Sequence, residues 1–293
     1  MKATLDHLPE RKQQELHTIS EILRDTLEEF IAGKQGSKAE FRIQKIILFG
    51  SHAKGGWVRD VPNGYISDYD ILVLVNKASL VDEYTVWNRA EEQIARRVKS
   101  TPLGLIVHTL SEVNQKLQQG HYFFKDIREE GIELFSDMPR ELAQPGSLTD
   151  EESRDIAQKH YDQWFESANS FMIDFVHCMA RKDFKKAAFE LHQATEQLFS
   201  CVLLVCTNYL PKTHGLEKLR HFCAEQSLAF ANIFPMDSKF NRRSFQRLKR
   251  AYVDARYSMH YEITEEELIY LKTEVDKLKA LVEQVCLQRL ESQ

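Results

Sequence analysis

Residues 46–75 read IILFGSHAKGGWVRDVPNGYISDYDILVLV, and this stretch decides the architecture of the first half of the chain. The runs Lys45–Phe49 (KIILF) and Tyr69–Val75 (YDILVLV) are short, rich in branched aliphatics and almost continuously apolar, the pattern of strands buried on both faces. The first ends in Gly50-Ser51, and the second opens with Ser67-Asp68-Tyr69-Asp70. Leu103–Thr109 (LGLIVHT) is a third strand of the same kind. Helical periodicity surrounds them. From Pro9 to Ala32, Leu16, Ile19, Leu23, Leu27, Phe30 and Ile31 recur every three or four residues before Gly33 and Gly36. From Ser79 to Lys99, with Ser79 and Asp82 as its cap, Val81, Tyr84, Trp87, Ile94 and Val98 form an apolar side. An α/β domain is expected over 1–137.

Beyond Asp137 the strand pattern stops. Residues 138–152 are polar and carry Pro139, Pro145 and Gly146, which reads as a linker. An all-helical bundle is expected over 153–293, from patterns at Glu152–Arg181, Phe184–Thr207, His214–Glu225, Ser238–Arg256 and Thr264–Arg289, with Pro211 and Pro235 marking breaks. A length of 293 residues suits two domains. The 39 basic against 44 acidic residues exclude a global cationic footprint, so any nucleic-acid contact must use a local patch. Apolar runs are strand-sized, far below the roughly 20 residues that span a bilayer. The charged N-terminus also lacks a secretory h-region, so a cytoplasmic location and no membrane partner are expected. The five cysteines form no CxxC pair and read as reduced core thiols.

Alternation along a strand puts Asp68 and Asp70 on one side, about 6–7 Å apart. Two acids at the mouth of an apolar strand are costly unless they bind a cation. Such a pair suits a divalent metal that clamps a nucleoside triphosphate. Gly50 allows close backbone approach, and the Ser51 hydroxyl with the following amides can hold phosphate oxygens. The plainer alternative is a capped strand facing water beside a tight turn.

GSHAKGGWV followed by SDYDILV resembles the nucleotidyltransferase signature of the DNA polymerase β superfamily, and GHYFFKDIREEGIELF (120–135) is similar to the closing segment of its minimal bacterial members. The resemblance covers about Ile43 to Phe135 and implies a mixed sheet, with Gly50 and Ser51 binding the nucleotide phosphates and Asp68 and Asp70 as catalytic metal ligands. It also implies Mg²⁺ or Mn²⁺ as cofactor and an NTP, with ATP the first choice, as substrate. The reaction would transfer a nucleoside monophosphate to an acceptor hydroxyl on a small molecule or a protein, releasing pyrophosphate. The family's usual third carboxylate would fall at Gly104, which offers no ligand; His108 lies on the same strand face.

KAAFELHQATEQLFSCVLLV, PKTHGLEKL and LKRAYVDARYSMHYEIT together resemble the HEPN (higher eukaryotes and prokaryotes nucleotide-binding) domain over about Ser153 to Arg289. Some HEPN domains are ribonucleases that use an Arg and a His. Arg256 and His260 are the candidates here, spaced as an i, i+4 pair on one helical face. The competing expectation is that Arg256 pairs with Asp254 or Glu262, and that His192 and His214 are structural or cap-forming. Lys239 to Arg256 is the basic cluster, either a candidate RNA or nucleotide surface or a solvated helix face. The expectation is therefore a bacterial-type nucleotidyltransferase domain fused to a HEPN bundle that shapes the acceptor side or a homodimer interface. The alternatives are a nucleotide-binding regulatory module without turnover, as in toxin–antitoxin-like pairs, and a HEPN ribonuclease.

Overall fold

The computed structural model describes residues 4–60, 65–137 and 141–292, so the first residues of the expected linker, 138–140, lie outside the described residues. The chain forms two compact units, Met1–Arg59 with Ile66–Ser147, and Asp60–Tyr65 with Leu148–Gln293, so the short strands Arg59–Asp60 and Tyr65–Ile66 straddle the division.

The first unit is a four-stranded mixed sheet with helices. Its strands are β1 (Ile43–Phe49), β4 (Tyr69–Val75), β5 (Leu103–Thr109) and β6 (Ile132–Ser136), in the order β5-β4-β1-β6. β1 pairs antiparallel with β4 and with β6, and β4 pairs parallel with β5. Two two-residue strands, β2 (Arg59–Asp60) and β3 (Tyr65–Ile66), form a separate ribbon between β1 and β4. Every residue of β4 is buried, as its continuous apolar run requires. Helix α1 (Glu10–Ile31) lays Leu16, Ile19, Leu23 and Leu27 on the face that carries Ile46, Leu48, Ile71 and Val73.

The helix expected over Ser79–Lys99 is broken into α3 (Ala78–Val81) and α4 (Tyr84–Arg97), and its N-cap is Lys77 rather than Ser79. The Leu80 carbonyl accepts from the Glu83 amide at 3.2 Å and from the Trp87 indole at 2.8 Å, while the Tyr84 amide turns to Asp82. The i→i−4 ladder is therefore interrupted at Asp82–Glu83. β6, like the β2–β3 ribbon, was not read from sequence. α2 (Gly50–Lys54), α5 (Leu110–Gln118) and α6 (Tyr122–Glu130) complete the first unit.

The second unit is helical: α7 (Asp150–Ala180), α8 (Phe184–Thr207), α9 (Leu216–Gln226), α10 (Lys239–Tyr257) and α11 (Glu265–Glu291). Capping boxes start the two longest, Thr149 with Glu152 for α7 and Thr264 with Glu267 for α11. The α8 helix is central and largely buried, packing on α7, α10, α11 and α9. Four cysteines are buried and Cys206 is half-buried; all five are free thiols. Among the described residues, no helix is long and apolar enough to cross a membrane.

Candidate functional site

β1 delivers Gly50 to the end of the sheet, where the chain turns into α2 with φ +69° at Gly50, a value that disfavours any side chain. β4 enters beside it, with Phe49 opposite Asp70, and β5 lies on the other flank, with Asp70 opposite Gly104. Asp70 is fully buried, and two glycines make that placement sterically allowed. A Cβ at Gly50 would stand 2.3 Å from one Asp70 carboxylate oxygen, and a Cβ at Gly104 would stand 2.8 Å from the other. Gly104, where the resemblance leads us to expect a further acid, is thus the position that leaves room for the acid one strand away.

Asp68 lies two residues before Asp70, just outside β4 and half-buried. Its carbonyl accepts from His52 Nδ1 at 2.8 Å, which fixes the approach to the strand. Ser51, the second residue of α2, has a buried hydroxyl with no hydrogen-bond partner among the described residues. Within the first unit, no three His, Cys, Asp or Glu side chains among the described residues gather at metal-ligating distance. His108 is not part of this arrangement. It lies four residues along β5 from Gly104, roughly 13 Å, pairs with Glu112 at 3.0 Å and meets Phe124 edge-on. The structural role is the one it plays.

The opposite face of β4 carries a second polar group that sequence reading missed. The Tyr69 hydroxyl donates to Glu15 at 2.8 Å, and Ser100 and Arg11 bind the other carboxylate oxygen at 2.9 and 3.0 Å. Burial would raise the Glu15 carboxyl, but these hydrogen bonds outweigh it and hold it below the usual range. Burial pushes the Tyr69 phenol up. Lys12 Nζ lies 4.4 Å from the Trp57 ring centre and 5.0 Å from that of Tyr69, and 3.1 Å from His52 Nε2. Because His52 Nδ1 faces a carbonyl, its proton sits there and Nε2 accepts from Lys12.

In the second unit the expected Arg256–His260 face is not formed. The α10 helix ends at Tyr257, so His260 lies in the following turn and both side chains are exposed. Nor does Arg256 pair with Asp254 or Glu262. Its Nε donates to the Tyr252 carbonyl at 2.6 Å, and its guanidinium stacks on the rings of Tyr252, Phe189 and Tyr257 at 4.5–5.0 Å, while Asp254 takes Arg250. Part of the basic cluster is paired: Arg243 and Arg247 converge on buried Glu267, and Lys249 reaches Glu217. These partners lie 20 or more residues away, while Arg242, Arg243, Arg250 and Arg256 stay exposed.

His192 and His214 do come together, through Glu196 and Tyr252. His214 Nδ1 donates to Glu196 at 2.9 Å, His192 Nδ1 lies 3.8 Å from the other oxygen, and both rings meet Tyr252. The i, i+4 spacing of His192 and Glu196 was the signal available in sequence. Burial depresses the fully buried His192 imidazole to about 4. The unfolded chain takes up this proton near its ordinary value of 6.5 while the folded chain does not, so stability is lost as pH falls below 6.5. Between pH 7 and 5 this linkage removes about 2 kcal/mol. Urea unfolding at the two pH values should show the loss in the wild type and a loss smaller by that amount in His192→Gln.

Comparison with curated proteins finds no match. Residues 161–285 match the HEPN domain family, so the N-terminal α/β region with its mixed four-stranded sheet is followed by an all-helical HEPN region.

Proposed function

We propose that the first unit binds a nucleoside triphosphate with Mg²⁺ or Mn²⁺ and transfers its nucleoside monophosphate to an acceptor hydroxyl. One observation carries the reading: a buried aspartate enclosed by two glycines, beside a serine-bearing turn at the end of the sheet. An acidic side chain given space at the expense of two neighbouring side chains is a placement that core packing alone does not call for.

The donor set suits magnesium, which is held by one or two carboxylates and completes its shell with water and substrate phosphates. Asp68 and Asp70 would hold the ion, which would neutralise phosphate charge and orient the chain of phosphates. Gly50 leaves the backbone open to close approach, and the Ser51 hydroxyl and α2 amides take phosphate oxygens. In the transfer, the acceptor oxygen bonds to the α-phosphorus, the bond to the β-phosphate oxygen breaks, and pyrophosphate leaves. No carboxylate stands at Gly104 to receive the hydroxyl proton, which goes to solvent.

Asp70→Asn keeps the shape and removes the charge. It should abolish magnesium-dependent binding of a non-hydrolysable ATP analogue in calorimetry while leaving the melting temperature nearly unchanged; undiminished binding would refute the assignment. Gly104 favours a second reading, a nucleotide-binding module that senses without turnover. Labelled NTP with Mg²⁺ separates the two, since pyrophosphate release supports transfer and saturable binding without release supports the sensor. The HEPN region also keeps a ribonuclease reading in view, but the end of α10 between Arg256 and His260 gives it no shared face to act from.

A further inference from the structure

A cavity of about 200 Å³ opens at the start of α1, with Arg11, Lys12, Glu15, Trp57 and Arg59 in its lining. It is on the α1 side of the sheet. Tyr69 reaches Glu15 there, and its neighbour Asp70 leaves β4 on the other face. We propose that this cavity binds a small phosphate monoester, with its anionic head against Lys12, Arg11 and Arg59 and its carbon end on Trp57. The site goes beyond the nucleotide reading of the Asp70 face and does not depend on it.

Charge, electrostatic direction and shape lead to this ligand. Three cations line the cavity against a single carboxylate, Glu15, both of whose oxygens are already bound by Tyr69, Ser100 and Arg11. Arg11 and Lys12 also occupy the first turn of a 22-residue helix, where the macrodipole favours anions, and Pro9 at its N-cap supplies no side-chain acceptor. Glu10 already supplies one acid in that turn and Arg11 is drawn to Glu15, so the pull on an incoming anion falls mainly to Lys12 and Arg59. The remaining lining, from Pro9, Trp57, Val58 and Ile66, is apolar, and the volume is below that of pockets for drug-sized ligands. A compact phosphate ester meets both requirements.

Proton linkage gives an independent signature. Burial, then the Arg59 and Arg11 charges, push the Lys12 ammonium below the usual lysine value, opposed by Glu15; His52 and Tyr69 also face it. A bound anion opposes that shift, so affinity should fall as pH rises through the range in which the Lys12 ammonium loses its proton.

The test is calorimetric titration of the full chain with phenyl phosphate and with inorganic phosphate. Phenyl phosphate is expected to bind more tightly, with affinity falling about tenfold or more in Lys12→Met and in Arg59→Gln, since each removes a charge-assisted hydrogen bond. Arg59 is exposed, so the second variant reads the site even if Lys12→Met folds poorly. Asp70→Asn should leave this binding unchanged, which separates it from the nucleotide site. Absence of saturable binding by either probe, or binding that survives Arg59→Gln and is lost in Asp70→Asn, overturns the proposal.

Discussion

Gly50→Ala is expected to destabilise the first unit by roughly 2–5 kcal/mol and to abolish magnesium-dependent nucleotide binding. Two independent costs add. The left-handed φ of +69° costs a residue with a Cβ about 1–2 kcal/mol, and the new methyl would stand 2.3 Å from the Asp70 carboxylate oxygen and 3.1 Å from its carbon, an overpacking worth another 1–3 kcal/mol or so. Gly104→Ala tests the second cost nearly alone. Its Cβ would press only on the other carboxylate oxygen, at 2.8 Å, the mobile end of a side chain. It should therefore cost less stability yet still turn the carboxylate away. Gly104→Asp, which would restore an acid to the place where the nucleotidyltransferase resemblance expects one, should lower nucleotide affinity for the same reason. Thermal melts with calorimetric titration separate the two effects; a Gly50→Ala protein with full stability and affinity would show that the carboxylate is not confined.

Glu133→Ala should be among the most damaging single changes in the sheet. Lys45 of β1 is buried, and its ammonium is held by Glu133 at 2.5 Å and by the Ser136 hydroxyl at 2.8 Å, both on β6. Removing the carboxylate leaves a charge in an apolar layer, at a cost of about 3–5 kcal/mol. For a chain of this size that is on the order of 10 °C in melting temperature. Lys45→Met removes the charge and keeps the length, and is expected to be close to neutral. If Glu133→Ala and Lys45→Met melt alike, the pair contributes through packing and not through charge.

The same pair explains why β6 was hard to read. IELFS sets polar residues into a layer that looks apolar elsewhere, because Glu133 and Ser136 face the buried lysine of β1, far earlier in the chain. β1, β4 and β5 were legible because their apolar runs satisfy two faces at once, a property local to the strand. The spacing of Asp68 and Asp70 singled them out, but the burial of Asp70 beneath two glycines was not there to read. Nor was the role of Gly104, since it depends on the parallel register that sets it against Asp70. Long-range pairing likewise hid the fate of the basic helix, and Ser258 ends α10 without the Gly or Pro that would have announced it. The Lys12 cavity draws on four separate stretches of chain. Its one local sign was a pair of cations directly after the Glu10 that opens the helix.

β4 is flanked by β1 and β5 and is sealed on both sides. Its amides can meet solvent deuterium only when the unit opens as a whole, so the aspartate it carries belongs to the slowest-breathing layer of the unit. A ligand of the kind proposed would meet a strand already in place, and its affinity would not be diminished by any ordering of that strand.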